Sequence, residues 1–128
     1  MNVARTGQRR QAGFRGVALA LLCAAPGLAA EPGEAVFQAR CASCHSLQPG
    51  APAGAGPNLA GLVGRRIAGD AGFDYSPALR EAAGRWDAAR LERFLADPEE
   101  MFPGLWMGDN GVREAELRAA LVRFLGGG

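Results

Sequence analysis

The chain has 128 residues, 48% hydrophobic and 21% charged, which suits one small domain and is too short for two of ordinary size. Its 14 basic and 13 acidic residues give a formal charge of +1, and every basic residue is an arginine. Three cysteines and one histidine are the whole supply of soft metal ligands apart from methionine, so a four-ligand zinc site is hard to assemble.

The N-terminus reads as an export segment. Arg5, Arg9, Arg10 and Arg15 form a positive region, Val17 to Ala25 an apolar one, and Gly27-Leu28-Ala29 supplies small residues at a cleavage site, which sets the expected boundary of a signal peptide at residues 1–29. The competing reading, a retained membrane anchor, suffers from an apolar run broken at Pro26-Gly27, well under the ~20 residues that span a bilayer. Leu22 is too bulky before Cys23 for a lipid-bearing cysteine, and Arg9-Arg10 only weakly suggests a twin-arginine route. The expected location is periplasmic. Removal of residues 1–29 takes four arginines and no acid, which leaves 10 arginines against 13 acids, a formal −3, and no basic cluster for nucleic acid.

Residues 30–128 then form the folded domain. From Gly33 the good helix formers Glu34 to Arg40 predict a helix that runs into Cys41-Ala42-Ser43-Cys44-His45, with Phe37, Cys41 and Cys44 on one stripe. In helical spacing Cys41, Cys44 and His45 leave one face, which can hold a flat ligand. C-x-x-C-H is the pattern of c-type haem attachment: both thiols form thioethers and the imidazole binds the iron. Zinc, a thioredoxin-like redox pair and a structural disulfide are the alternatives. Zinc lacks a fourth ligand once Cys23 has gone, and the redox pair lacks a βαβ context.

Gln48 to Gly56 has no periodicity and reads as loop, and Gly56-Pro57-Asn58-Leu59 opens a turn-rich stretch through Gly72. Ser76-Pro77 predicts an N-cap and first helical residue for a short helix over 78–83. After Trp86, Asp87 can cap a helix over 88–96 with Leu91, Phe94 and Leu95 inward, stopped by Asp97-Pro98. Residues 101–110 read as loop, and a last helix is expected over 112–125 with Leu117, Ala120, Leu121, Phe124 and Leu125 as its buried stripe. No stretch alternates like a strand, so the fold class is all-α, with about four helices around the haem. A domain this small has a thin apolar core, which a buried porphyrin would complete.

A second axial ligand decides what a haem iron does. Met101 and Met107 are the candidates outside the export segment, and the Pro103-Gly104 turn can fold Met107 over the face opposite His45, although methionine also serves simply to fill core gaps.

Taken together these residues resemble the class I cytochromes c, in the soluble mitochondrial and bacterial branch, over the whole of residues 30–128. The resemblance is carried by Gly33 with Phe37, by Cys41 to His45, by Gly56-Pro57-Asn58-Leu59-Ala60-Gly61-Leu62-Val63-Gly64-Arg65, by Phe73-Asp74-Tyr75-Ser76, by Trp86 and Pro98, and by Pro103-Gly104-Leu105-Trp106-Met107. It implies one haem c joined to Cys41 and Cys44, iron ligation by His45 and Met107, a Pro57 carbonyl holding the histidine ring, and Arg65, Tyr75 and Trp86 around a buried propionate. It also implies that Gly33 and Phe37 cross the last helix near Leu121 and Phe124. Phe94, Leu105 and Leu79 depart from the mitochondrial pattern, where a tyrosine, a threonine and an asparagine are usual, so the distal side is poorer in donors.

The resemblance implies a soluble, monomeric one-electron shuttle between membrane or soluble redox enzymes, and not an enzyme, because a six-coordinate iron has no open position. The alternatives are a catalytic or gas-binding haem with a displaceable Met107, and a dedicated electron-accepting subunit of a dehydrogenase. Without lysines, and with Glu99 and Glu100 approaching the Met107 loop, docking is expected to use Phe102, Leu105 and Trp106 rather than attraction to an acidic partner.

Overall fold

The computed structural model describes Gly27 and residues 29–127, so the export segment expected over residues 1–29 lies almost wholly outside the described residues. Five helices follow in chain order: α1 (Pro32–Arg40), α2 (Pro77–Arg80), α3 (Ala88–Ala96), α4 (Pro98–Met101) and α5 (Ala115–Leu125). An isolated bridge between Arg66 and Arg85 is the only β pairing among the described residues, and the all-α expectation holds.

α1 starts at a proline, whose missing N–H costs nothing in a first turn, and stops one residue before the cysteine motif. It buries Gly33, Val36 and Phe37 against α5. The crossing depends on Gly33: a Cβ there would fall on the Ala120 carbonyl and the Phe124 side chain. Beside it the Phe37 and Phe124 rings lie 6.1 Å apart, and Leu121 is completely buried beneath. The far end of the crossing is closed by Arg40, which donates to both carboxylate oxygens of Glu114 at 2.8 and 3.2 Å. That hydrogen bond holds the Glu114 carboxyl below its usual range, so the pair's contribution is complete at neutral pH and fades as acid protonates Glu114.

Gly33→Ala should therefore destabilise the protein by about 1–3 kcal/mol through overpacking. A thermal melt should show a fall of roughly 4–8 °C per kcal/mol. An unchanged midpoint would mean that the two helices do not meet this closely.

α3 presents Leu91, Phe94 and Leu95 inward, as its periodicity predicts, and Asp87 caps it by accepting from the Arg90 amide at 2.7 Å. Asp97-Pro98 ends α3 and also starts a helix, because Asp97 accepts from the Glu100 amide at 3.0 Å and Pro98 occupies the first helical position. α4 is thus a cap signal read only as a stop in the sequence. Three other expectations are corrected. α2 ends at Arg80 rather than at residue 83, and the Ser76 side chain does not cap it. α5 begins at Ala115 instead of residue 112, since Val112 is held by the Leu95 carbonyl at 2.7 Å and is itself core. Finally, Leu117 faces outward and Val122 takes its place in the buried stripe. Across the α3–α5 junction Arg118 donates to Glu92 at 2.6 Å and to the Val112 carbonyl at 3.0 Å.

Candidate haem site

The cysteine motif does not continue the helix. Cys41 and Ala42 both donate to the Phe37 carbonyl, then Cys44 and His45 both donate to the Cys41 carbonyl, so residues 41–45 form one tight turn at the end of α1. In this turn Cys41 and His45 are half-buried and Cys44 is exposed. The two cysteines form no disulfide with each other. Burial pushes the Cys41 thiol above its ordinary pKa.

The His45 ring is fixed from two sides. Its Nδ1 donates to the Pro57 carbonyl at 2.8 Å, which makes Nε2 the unprotonated nitrogen and leaves its lone pair free for a metal. Gly56 lies flat against the ring, where any Cβ would overlap Cε1. Gly56 is in turn held by its amide to the Cys44 carbonyl at 2.9 Å.

Asn58, which the sequence did not single out, organises the loops behind Pro57. Its side chain donates to the Gln48 and Ala51 carbonyls at 2.7 and 2.9 Å and accepts from the Ala60 amide at 2.8 Å. Its carbonyl accepts from Arg65 Nη2 at 2.7 Å. An Asn after Pro in a turn-rich stretch is the available signal, since a buried amide in a loop must satisfy three or four polar groups.

Arg65, Tyr75 and Trp86 occupy neighbouring positions. Trp86 donates its amide to the Arg65 carbonyl at 2.9 Å, and Tyr75 packs edge-on against Phe73. The Tyr75 hydroxyl accepts from the Asp70 amide at 3.2 Å, and burial raises its pKa. Among the described residues two buried side-chain polar atoms have no partner: Arg65 Nε and Ser76 Oγ. Buried donors are ordinarily satisfied, so each of the two calls for an acceptor.

Met107 lies in a loop of two consecutive turns, in which Leu105 donates to the Phe102 carbonyl and Gly108 to the Leu105 carbonyl, each at 3.1 Å. Asn110 donates to the Met107 carbonyl at 2.5 Å and clamps the loop. Met101 and Met107 are both half-buried and border the same apolar cluster as Cys41. Trp86, Phe94 and Phe102 stack in that cluster with centroids 5.1 to 6.4 Å apart, and Leu105 is buried beside them. Phe94 and Leu105 thus add hydrocarbon, and no hydroxyl, to the cluster that Met107 borders. The loop's two aromatics divide: Phe102 packs inward, and Trp106 stands 62% exposed.

The donor set fits a haem: two thiols and an imidazole nitrogen on one turn, a thioether bordering the same apolar cluster as Cys41, and two unsatisfied buried polar atoms. Residues 30–125 match the family described as Cytochrome c. The chain is similar to a cytochrome c of Guizotia abyssinica, 38% identical over 101 residues that cover 79% of this chain and 91% of the relative. It is 41% identical over 93 residues to a cytochrome c of Chlamydomonas reinhardtii, covering 73% of this chain and 83% of the relative. A cytochrome c of Ginkgo biloba is 37% identical over 93 residues, 73% of this chain and 82% of the relative. These relatives are plant and algal, so the periplasmic location expected from the sequence is overturned.

Proposed function

Since the chain belongs to the cytochrome c family and is a haem electron-transfer protein, with one haem c attached through two cysteines, we propose that it is a one-electron carrier whose iron is ligated by His45 and Met107. Bound haem supplies the redox couple. Everything else is the work of the chain. Cys41 and Cys44 would anchor the macrocycle, and the observation that best supports His45 as ligand is its 2.8 Å hydrogen bond to the Pro57 carbonyl, which presents Nε2. Arg65, Tyr75 and Ser76 would hold a haem propionate, which would give the two orphaned atoms a partner, with Trp86 packed beside them. Met107 would hold the iron together with His45, and a haem held by two such side chains supplies one-electron exchange rather than substrate activation.

Carbon monoxide tests the reading. A pyridine haemochrome spectrum should give one c-type haem per chain, and the reduced protein should bind carbon monoxide slowly or not at all. Rapid stoichiometric binding would instead mark a catalytic or gas-binding haem.

Docking on redox partners uses the exposed Trp106, flanked by Glu99 and Glu100, so encounter relies on apolar contact with little electrostatic attraction to an acidic face. Trp106→Ala should slow association with the native partner severalfold and more than Glu100→Ala does, with a modest dependence on ionic strength. Strong acceleration toward an acidic partner at low salt would refute this account.

A further inference from the structure

Adjoining Arg65, the loops before and after α2 form an open cleft of about 610 Å³ whose charged lining is all of one sign: Arg65, Arg66, Arg80 and Arg85, with no carboxylate among the lining residues. Two of these arginines are forced together. Arg66 and Arg85 form the isolated antiparallel bridge, and the flanking bonds, from Ile67 N to the Gly84 carbonyl at 3.0 Å and from Trp86 N to the Arg65 carbonyl at 2.9 Å, make them a non-hydrogen-bonded pair. At such a position Cα atoms are only about 4.5 Å apart and the side chains project to the same side. Like charges directly opposite one another are destabilising, so a pair of this kind calls for a counter-charge.

The chain does not provide one. Arg85 spends one Nη on the Gly64 carbonyl at 2.8 Å, a neutral acceptor. Arg80 meets only the exposed Asp74, at 3.3 Å, in a solvent-screened pair. Among the described residues Arg66 makes no side-chain hydrogen bond or ion pair. Ala82 also lines the cleft and adds no charge to it.

We propose that this cleft is an oxyanion site that takes a phosphate group, with Arg66 and Arg85 as its fork and Arg80 as a third cation. Planar guanidinium groups match phosphate oxygens two at a time, and a dianion between Arg66 and Arg85 turns a repulsive pair into two charge-assisted contacts. The volume admits more than one phosphate, so a polyphosphate chain and a phospholipid headgroup share the required chemistry. The site is separate from Cys41, His45 and Met107 and does not depend on the ligation proposed above.

The test uses the haem-loaded protein at low salt with two probes. Calorimetric titration with inorganic triphosphate should show one saturable site, and Arg66→Ala should weaken it roughly 10- to 100-fold, the value of one charge-assisted hydrogen bond. Arg66 is exposed and makes no side-chain hydrogen bond or ion pair among the described residues, so this variant should keep the parent circular dichroism and melting point, while Arg85→Ala serves as the second variant. Arg123→Ala, an exposed change on α5, should leave binding as it was. In the second arm, co-sedimentation with phosphatidic acid vesicles is compared with phosphatidylcholine vesicles. Arg66-dependent binding of triphosphate alone identifies a soluble phosphate ligand, and Arg66-dependent binding to acidic vesicles alone identifies a headgroup. The proposal fails if neither probe binds, or if binding survives in both Arg66→Ala and Arg85→Ala.

Discussion

Met107→Ala should convert a closed haem into an open one. The reduced variant is expected to bind carbon monoxide rapidly and stoichiometrically, and the charge-transfer band of methionine-ligated ferric haem should disappear. Its reduction potential should fall by on the order of 0.1 V, a fraction of the ~0.8 V range that axial ligands cover, because a thioether favours ferrous iron. Met101→Ala should do none of this. The two methionines are equally half-buried and border the same cluster, so burial does not separate them. The distinction comes from the loop: Met107 is held by the turns after Phe102 and by the Asn110 amide on its carbonyl, while Met101 lies in the last turn of α4. Survival of the band in Met107→Ala would remove Met107 as the ligand.

Loss of the thioether anchors should have a comparably large effect on folding. Fourteen hydrophobic residues are buried among the described residues, and the three longest helices run only 9, 9 and 11 residues. Helices of that length are marginal in water by themselves and persist through packing. The segment 41–76 has no helix at all and is held by loop hydrogen bonds around Asn58, Arg65 and Tyr75, two of whose neighbourhoods contain unsatisfied buried atoms. Binding of haem to the folded state alone shifts the equilibrium by mass action. Cys41→Ala with Cys44→Ala, prepared free of haem, should therefore lose most of its helical circular dichroism at 25 °C. A haem-free preparation with native-like ellipticity and a cooperative melt would show that the polypeptide core suffices.

The distal aromatics make a related point about chemistry. Trp86, Phe94 and Phe102 form a continuous hydrocarbon wall, and none of them offers a hydroxyl to a methionine sulfur. The substitution of apolar groups at Phe94 and Leu105 is visible in the sequence, but that both are buried in one cluster with Trp86 is a property of the packing.

Features that depend on short separations are legible in the order of residues alone. The Cys41 to His45 spacing specified the haem chemistry, the apolar periodicity of residues 88–96 specified α3 to the residue, and the Asp87 cap was legible because a capping side chain bonds within its own first turn. The N-terminal composition suggested export, yet an Arg-rich apolar leader does not name a compartment, and the plant and algal relatives overturned the periplasm. Only the tertiary structure decided features that join distant segments: the meeting of Gly33 with Ala120, the outward turn of Leu117, the role of Asn58, the orphaned Arg65 Nε, and the opposition of Arg66 to Arg85. Each turns on which group from elsewhere in the chain arrives at a given place. A local pattern carries no information on that, because loop closure over tens of residues costs nearly the same for many alternative pairings and packing alone chooses among them.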